Sequence, residues 1–214
     1  MRFRQEGDLI FRLLPKFLAI ALAVAVPAAT GSPRAAPPAE SHSLAGQLLV
    51  AKPGMADPRF RQTVIFLARH DETGVFGLVL NRTLGPLSFA ELLTTMRADP
   101  DGVEGSIVVH FGGPVEPRRG FILHSADYAK SPLFTVNDSY SVTSDPDILR
   151  AMATGHGPAR GILAIGYAGW GAGQLERELE RKDWVLAPAS DDLLFGSDQR
   201  DKWKRAYDRR YLDI

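Results

Sequence analysis

Gly161-Ile-Leu-Ala-Ile-Gly-Tyr-Ala168, running without a break into Gly169-Trp-Gly-Ala-Gly-Gln-Leu-Glu-Arg-Glu-Leu179, decides the fold class. Its first half is a near-continuous apolar run, the pattern of a central strand buried on both faces. Its second half reads as a glycine-rich turn opening a helix. Leu175 and Leu179 lie one helical turn apart, while Glu176, Arg177, Glu178 and Glu180 take the wet side. Shorter apolar runs at residues 48–51, 63–68, 75–80, 107–111, 120–124 and 184–187 suit a pleated surface. Residues 70–74 supply turn chemistry between the second and third of these and predict a hairpin. Helices are expected at 88–97, where Ser88 and Glu91 form a capping box, and at 146–153, behind Asp145. A third follows in the tail, where Trp203, Tyr207 and Tyr211 form an aromatic stripe read as core packing. Strands arriving in pairs imply one mixed sheet in a single compact α/β (α+β-like) domain, not a regular βαβ array.

Composition narrows the chemistry. The 214 residues contain no cysteine, which excludes a disulfide framework, a thiolate nucleophile and cysteine-ligated metal. Basic and acidic residues balance at 25 each, so no basic face points to nucleic acid. Residues 1–40 differ from the remainder. Arg12 and Lys16 precede Phe17-Leu-Ala-Ile-Ala-Leu-Ala-Val-Ala-Val26, and small residues follow at Ala28 and Ala29. That is the pattern of a signal-peptide-like leader over 1–29, too short in its apolar core to be a stable transmembrane span. A Pro/Ala-rich linker over 30–42 separates it from a folded domain at 43–214. The leader points to export to the periplasm.

Several groups are candidates for a site, each with a structural alternative. Gly169, Trp170, Gly171, Gly173 and Gln174 form a turn that either presents backbone N–H groups to an anion or simply bends the chain. It matches neither the dinucleotide fingerprint nor the phosphate-binding loop. Gly171 is expected to need a conformation or a close approach denied to valine. Gly112, Gly113 and Pro114 follow a strand and read as a ligand-lining edge or a turn. Asn81 and Arg82 offer an amide and a guanidinium that could fork onto an anion, or end a strand and pair on the surface. His124 ends an apolar strand near Ser125 and Asp127, but no nucleophile elbow accompanies it. The histidines show no metal-ligand spacing, so no metal site is expected.

Six segments in this order carry a resemblance. They are Gly46-Gln-Leu-Leu-Val-Ala-Lys-Pro-Gly-Met55, Asp57-Pro-Arg-Phe-Arg-Gln-Thr-Val-Ile-Phe66, Gly77-Leu-Val-Leu-Asn-Arg-Thr83, Gly112-Gly-Pro-Val115, Arg119-Gly-Phe-Ile-Leu-His124 and Gly166-Tyr-Ala-Gly-Trp-Gly-Ala-Gly-Gln-Leu-Glu176. Together, over residues 44–206, they resemble the YqgE/AlgH family of bacterial proteins (UPF0301). The resemblance implies a bifurcated sheet forming a pseudo-barrel flanked by helices, brings no catalytic assignment and no cofactor, and suggests a cytosolic location, against the leader. A regulatory role in transcription of exopolysaccharide genes is attached to part of the family. Thr83 departs from the proline that usually follows the Asn-Arg pair.

Three functions are thus expected in order. The first is a non-enzymatic binding or regulatory protein acting on an unknown small ligand or protein partner. The second is a small hydrolase using His124 in a pocket near the 169–174 turn. The third is a DNA-binding regulator, disfavoured because residues 41–214 carry 20 basic against 22 acidic residues.

Overall fold

The computed structural model describes residues 43–211, so the expected leader and linker lie outside the described residues. The axis of the fold is the long strand β9 (Gly161–Gly171). The other strands are β1 (Gln47–Ala51), β2 (Val64–Asp71), β3 (Gly74–Val79), β4 (Thr83–Ser88), β5 (Ser106–Phe111), β6 (Val115–Ser125), β7 (Phe134–Thr135), β8 (Tyr140–Thr143) and β10 (Trp184–Pro188). Five helices accompany them: α1 (Phe89–Thr95), α2 (Asp147–Ala153), α3 (Gln174–Glu180), α4 (Asp191–Leu194) and α5 (Lys202–Asp208).

The main path of the sheet is β10-β1-β2-β3-β9-β6-β8-β7, and every pairing along it is antiparallel. β5 joins as a parallel neighbour beside Leu163, Ala164 and Ile165 of β9, and β4 pairs β5. Beyond residue 167 the neighbour of β9 becomes β3, paired from Gly77↔Ala168 to Gly74↔Gly171. One strand therefore serves two sheets, which is the expected bifurcation. The sheet curls around a core without closing, since β10 and β7 remain its two ends.

Burial on both faces explains why the strands read as unbroken apolar runs. In β1, Leu48 and Val50 enter the core inside the curl with Phe66, Phe121 and Val142, capped by Leu193 and Leu194 of α4 and Ala206 of α5. Leu49 and Ala51 point the other way, into a second core with Ile65, Trp170 and Leu175 under α3. A third core packs Ile107, Ile122 and Leu163 beneath α1 and α2. The expected capping box is present: Glu91 N–H donates to Ser88 Oγ at 3.1 Å, and Ser88 N–H donates to Glu91 Oε2 at 3.0 Å.

The fork is built from glycines. A Cβ on Gly112 would lie 2.2 Å from the Gly166 carbonyl oxygen, and one on Gly113 would lie 2.1 Å from the Tyr167 carbonyl carbon. Gly166 itself has φ +72°, and its Cβ would meet the Gly113 oxygen at 2.3 Å. Two backbone segments, 112–113 and 166–168, cross here with no room for side chains. Opposite Gly166, β6 bulges: Val115 pairs Tyr167 and Gly120 pairs Ile165, leaving residues 116–119 looped out with Glu116 at φ 47°.

Two expectations about elements are corrected. β9 continues as strand through Gly169, Trp170 and Gly171, because β3 supplies a pairing edge there, so only residues 172 and 173 turn. Tyr211 lies beyond α5 and is 54% exposed, whereas Trp203 and Tyr207 stack at 5.5 Å against the core. Lys202 of α5 is fully buried, and its ammonium donates to the Leu194 carbonyl at 3.4 Å. Burial depresses its pKa to about 8, with nearby Arg205 adding to the effect and Asp198 and Asp192 opposing it. His110, also buried, donates from Nδ1 to the Leu80 carbonyl, and its pKa is lowered first by burial and further by Lys202.

Candidate functional site

The predicted site residues do not meet in one place. Asn81 is a bracket: its Oδ1 accepts from Val64 N–H at 2.9 Å and its Nδ2 donates to the Gln62 carbonyl at 2.7 Å. Arg82 donates to the Arg61 carbonyl at 3.2 Å. Both tie the end of β3 to the loop before β2. Gly112 and Gly113 sit at the fork, and Pro114 leads from it into β6.

His124 pairs with Gly161, at the start of β9, so the 169–174 segment begins eight strand residues away, about 25 Å along the strand. The histidine is fully buried, its Nδ1 donates to the Ser125 carbonyl at 2.8 Å, and its Nε2 has no partner among the described residues. Burial lowers its pKa, against the opposing influence of the Ser125 bond and Asp127. His124 therefore does not share a pocket with the glycine segment, contrary to the hydrolase reading.

The segment from Gly169 to Gln174 divides by position. A Cβ at Gly171 would meet nothing within 4 Å and the backbone is not in the left-handed region, so neither the close approach nor the special conformation expected there is present. Gly173 is the one that needs its freedom, with φ +67° just before α3. Gly171 N–H already donates to Gln174 Oε1 at 3.1 Å, which removes it as an anion donor. The face of α3 expected to be wet is instead tied down. Glu178 Oε2 accepts from the indoles of Trp170 at 2.9 Å and Trp184 at 2.8 Å, and its Oε1 accepts from Gln174. Glu176 bonds His70 Nε2 at 2.6 Å; since Leu44 N–H donates to Nδ1, the proton belongs on Nε2. Burial raises the Glu176 pKa, but its own backbone N–H and His70 outweigh that, and the net shift is downward.

Gly169 and Trp170 have a different neighbourhood. They line a cleft of about 410 Å³ with Phe76 of β3, Phe121 of β6, Phe134 of β7 and Tyr167 of β9. The register explains the opening. Phe76 pairs directly with Gly169, whose missing side chain leaves space beside the ring. A Cβ at Gly169 would stand 3.0 Å from Tyr167 Cε2 and 3.8 Å from Val115 Cγ2. Phe76 and Tyr167 stack at 4.4 Å and 18°, while Phe121 meets both edge-on, at 5.1 Å and 5.8 Å. Phe134 closes the cluster at 5.0 Å from Phe76.

The rim is partly apolar and partly cationic. Val115 is 37% and Leu133 is 39% exposed. The Arg69 guanidinium stands 5.5 Å over Phe134, and that of Arg119 5.1 Å over Phe121. Arg69 pairs loosely with Asp71 at 3.4 Å, and Arg119 with Glu116 at 3.1 Å. The Asp71 carboxyl is held below its ordinary range by Thr73, with a smaller contribution from Arg69. Sequence reading missed Phe76, Phe121, Phe134 and Tyr167 as a group, since they are spread over some ninety residues and each looks like ordinary core. The pairing of an aromatic with a glycine across two strands was the only available signal.

A curled, forked sheet with an aromatic cleft beside the shared strand makes the described residues one compact mixed α/β domain. The chain belongs to the AlgH-like family (DUF179), whose model matches residues 48–214. It is 45% identical over 170 residues to a UPF0301 protein of Rhodospirillum rubrum, covering 79% of this chain and 88% of that one. A UPF0301 protein of Jannaschia is 44% identical over 168 residues, with coverage of 78% and 88%. Among solved structures, the solution structure of the AlgH protein from Pseudomonas aeruginosa superposes with TM-score 0.66 at 38% identity, covering 80% of this chain and 90% of that one. A crystal structure of a Corynebacterium diphtheriae protein shares the fold, with TM-score 0.59 at 22% identity over 78% and 87% of the two chains. Among the described residues no helix is long and apolar enough to cross a membrane.

Proposed function

We propose that the protein is a non-enzymatic binding protein, with any regulatory role exercised through what it holds in the cleft between β3, β6, β7 and β9. The observation that carries this reading is the convergence of four aromatic rings from four strands on one open cleft, where a glycine opposite Phe76 keeps space free. Aromatic side chains that line an accessible cavity of a few hundred cubic ångströms are the usual floor of a small-molecule site. The backbone of Glu116 at the edge of the cleft, held at φ 47°, adds weight, since strain of this kind gathers where function needs a fixed shape.

Blocking the cleft tests the reading. A neutral bicyclic probe, 2-naphthamide, is expected to bind the wild-type chain in calorimetric titration. Val115→Phe, which puts a ring beside Gly169, is expected to weaken it at least about tenfold, the loss of roughly 1.4 kcal/mol of contact. The melting temperature should move little, because Val115 lies on the rim. Unchanged affinity in a folded Val115→Phe protein would remove the cleft from the account.

A further inference from the structure

We propose that the cleft selects a planar aromatic ring bearing an anionic group, a carboxylate or a phosphate, with Arg69 and Arg119 as the groups that recognise the charge. This rests on the cleft being the binding site and adds the chemical class of what enters it.

The shape argument comes from the rings. Phe76 and Phe121 are buried and brace Tyr167 and Phe134 by stacked, tilted and edge-on contacts, so the half-buried rings of Tyr167 and Phe134 give the cleft a rigid aromatic surface suited to a flat guest. A space of about 410 Å³ limits that guest to one or two fused rings with a short substituent. A peptide segment or a helix needs a longer groove.

The charge argument comes from the rim. Of the residues lining the cleft, three are charged, namely Arg69, Arg119 and Glu116, so the lining is net positive. Residues 41–214 as a whole are net negative, which makes this a local reversal of sign. The two guanidiniums come from different strands, β2 and the bulge of β6, and each is braced against a ring of the cleft. Bracing of this kind limits the side-chain freedom lost when a guanidinium forks onto a carboxylate or phosphate. The present acidic partners do not compete strongly. Both ion pairs are exposed, with side chains between 42% and 47% accessible, and pairs of that kind hold little energy. Arg119 is further oriented by Ser144 Oγ at 3.3 Å.

The test compares 2-naphthoate with its neutral isostere 2-naphthamide on the full chain, by calorimetry at low salt. The naphthoate should bind about tenfold more tightly, and 0.5 M NaCl should shrink that preference as the charges are screened. In the double variant Arg69→Gln/Arg119→Gln the two probes should bind alike, while an unchanged circular dichroism spectrum and a cooperative melt report that the variant is folded. Benzyl phosphate tested beside benzoate then separates a phosphate from a carboxylate preference. Equal binding of naphthoate and naphthamide to wild type, or a preference that survives in the double variant, overturns the proposal while leaving the cleft as the binding site. Failure of both probes to bind wild type overturns the proposal and the cleft reading together.

Discussion

Gly113→Ala is expected to remove a large share of the stability of the fold. A methyl group there would be built 2.1 Å from the carbonyl carbon and 2.3 Å from the amide nitrogen of the next peptide in β9, both backbone atoms that cannot swing aside. The only relief is separation of β9 from the Gly112–Gly113 crossing. That would break the bond from Gly112 N–H to the Ile165 carbonyl and the one from Val79 N–H to the Gly112 carbonyl. These bonds join β3, β5 and β9 at the fork. A cost of about 4 kcal/mol or more is the range for such a lesion, against a total of roughly 5–15 kcal/mol for a domain. Urea denaturation of Gly113→Ala beside Gly171→Ala checks this. Gly171 faces open space in a strand, so its alanine variant should stay within about 0.5 kcal/mol of wild type. A Gly113→Ala protein as stable as Gly171→Ala would show that the fork does not need bare backbone.

The second large effect has the opposite sign. Lys202→Met is expected to stabilise the protein at pH 7 by about 3 kcal/mol, the free energy that corresponds to a pKa depressed from 10.5 to about 8. The ammonium is fully buried and has one long bond to a carbonyl, so the methionine loses little and removes a desolvated charge. The pH dependence follows from the direction of the shift. Below about pH 8 the lysine is charged in both states and the full penalty is present. Between pH 8 and 10.5 the unfolded chain binds the proton and the folded chain does not, so wild-type stability rises with pH through this window. The difference between Lys202→Met and wild type should therefore narrow from pH 8 upward. A constant difference, or a less stable variant at pH 7, would mean that the amine is solvated or paired.

Much of this architecture is legible in the amino-acid order, because most strands are buried on both faces and carry unbroken apolar runs. The 161–168 run, the 48–51 run and the Ser88–Glu91 capping box all fall where expected. What escapes has identifiable causes. β4 reads Thr-Leu-Gly-Pro-Leu-Ser, and proline and glycine disguise a strand that pairs only β5 among the described strands. β7 has two residues, too few for any pattern. The glycines at 169 and 171 look like a turn in isolation; only β3, ninety residues earlier, supplies the edge that keeps them extended. Glu178 reads as a solvated helix residue, yet two indoles from β9 and β10 close on its carboxylate.

The candidate site was less legible than the fold. Of the residues singled out in advance, Gly169 and Trp170 line the cleft, while Asn81, Arg82, Gly112 and Gly113 hold the scaffold together. Glycine makes way for crossing backbone at the fork and for the Tyr167 ring at the cleft, and local sequence cannot distinguish the two uses. The cleft is a property of register, set by Phe76 standing opposite Gly169 and by the bulge that brings Arg119 to Phe121.

The central claim is that this protein binds through the aromatic cleft, and amide NMR tests it most directly. During titration of the isotope-labelled chain with 2-naphthoate, the largest shift changes should fall on Val75, Phe76, Val115, Glu116, Phe134 and Gly169, in the lining of the cleft. The amides around His124 and the Asn81–Arg82 bracket should stay still. Changes centred on either of those places, or no saturable change at millimolar probe, would contradict the account.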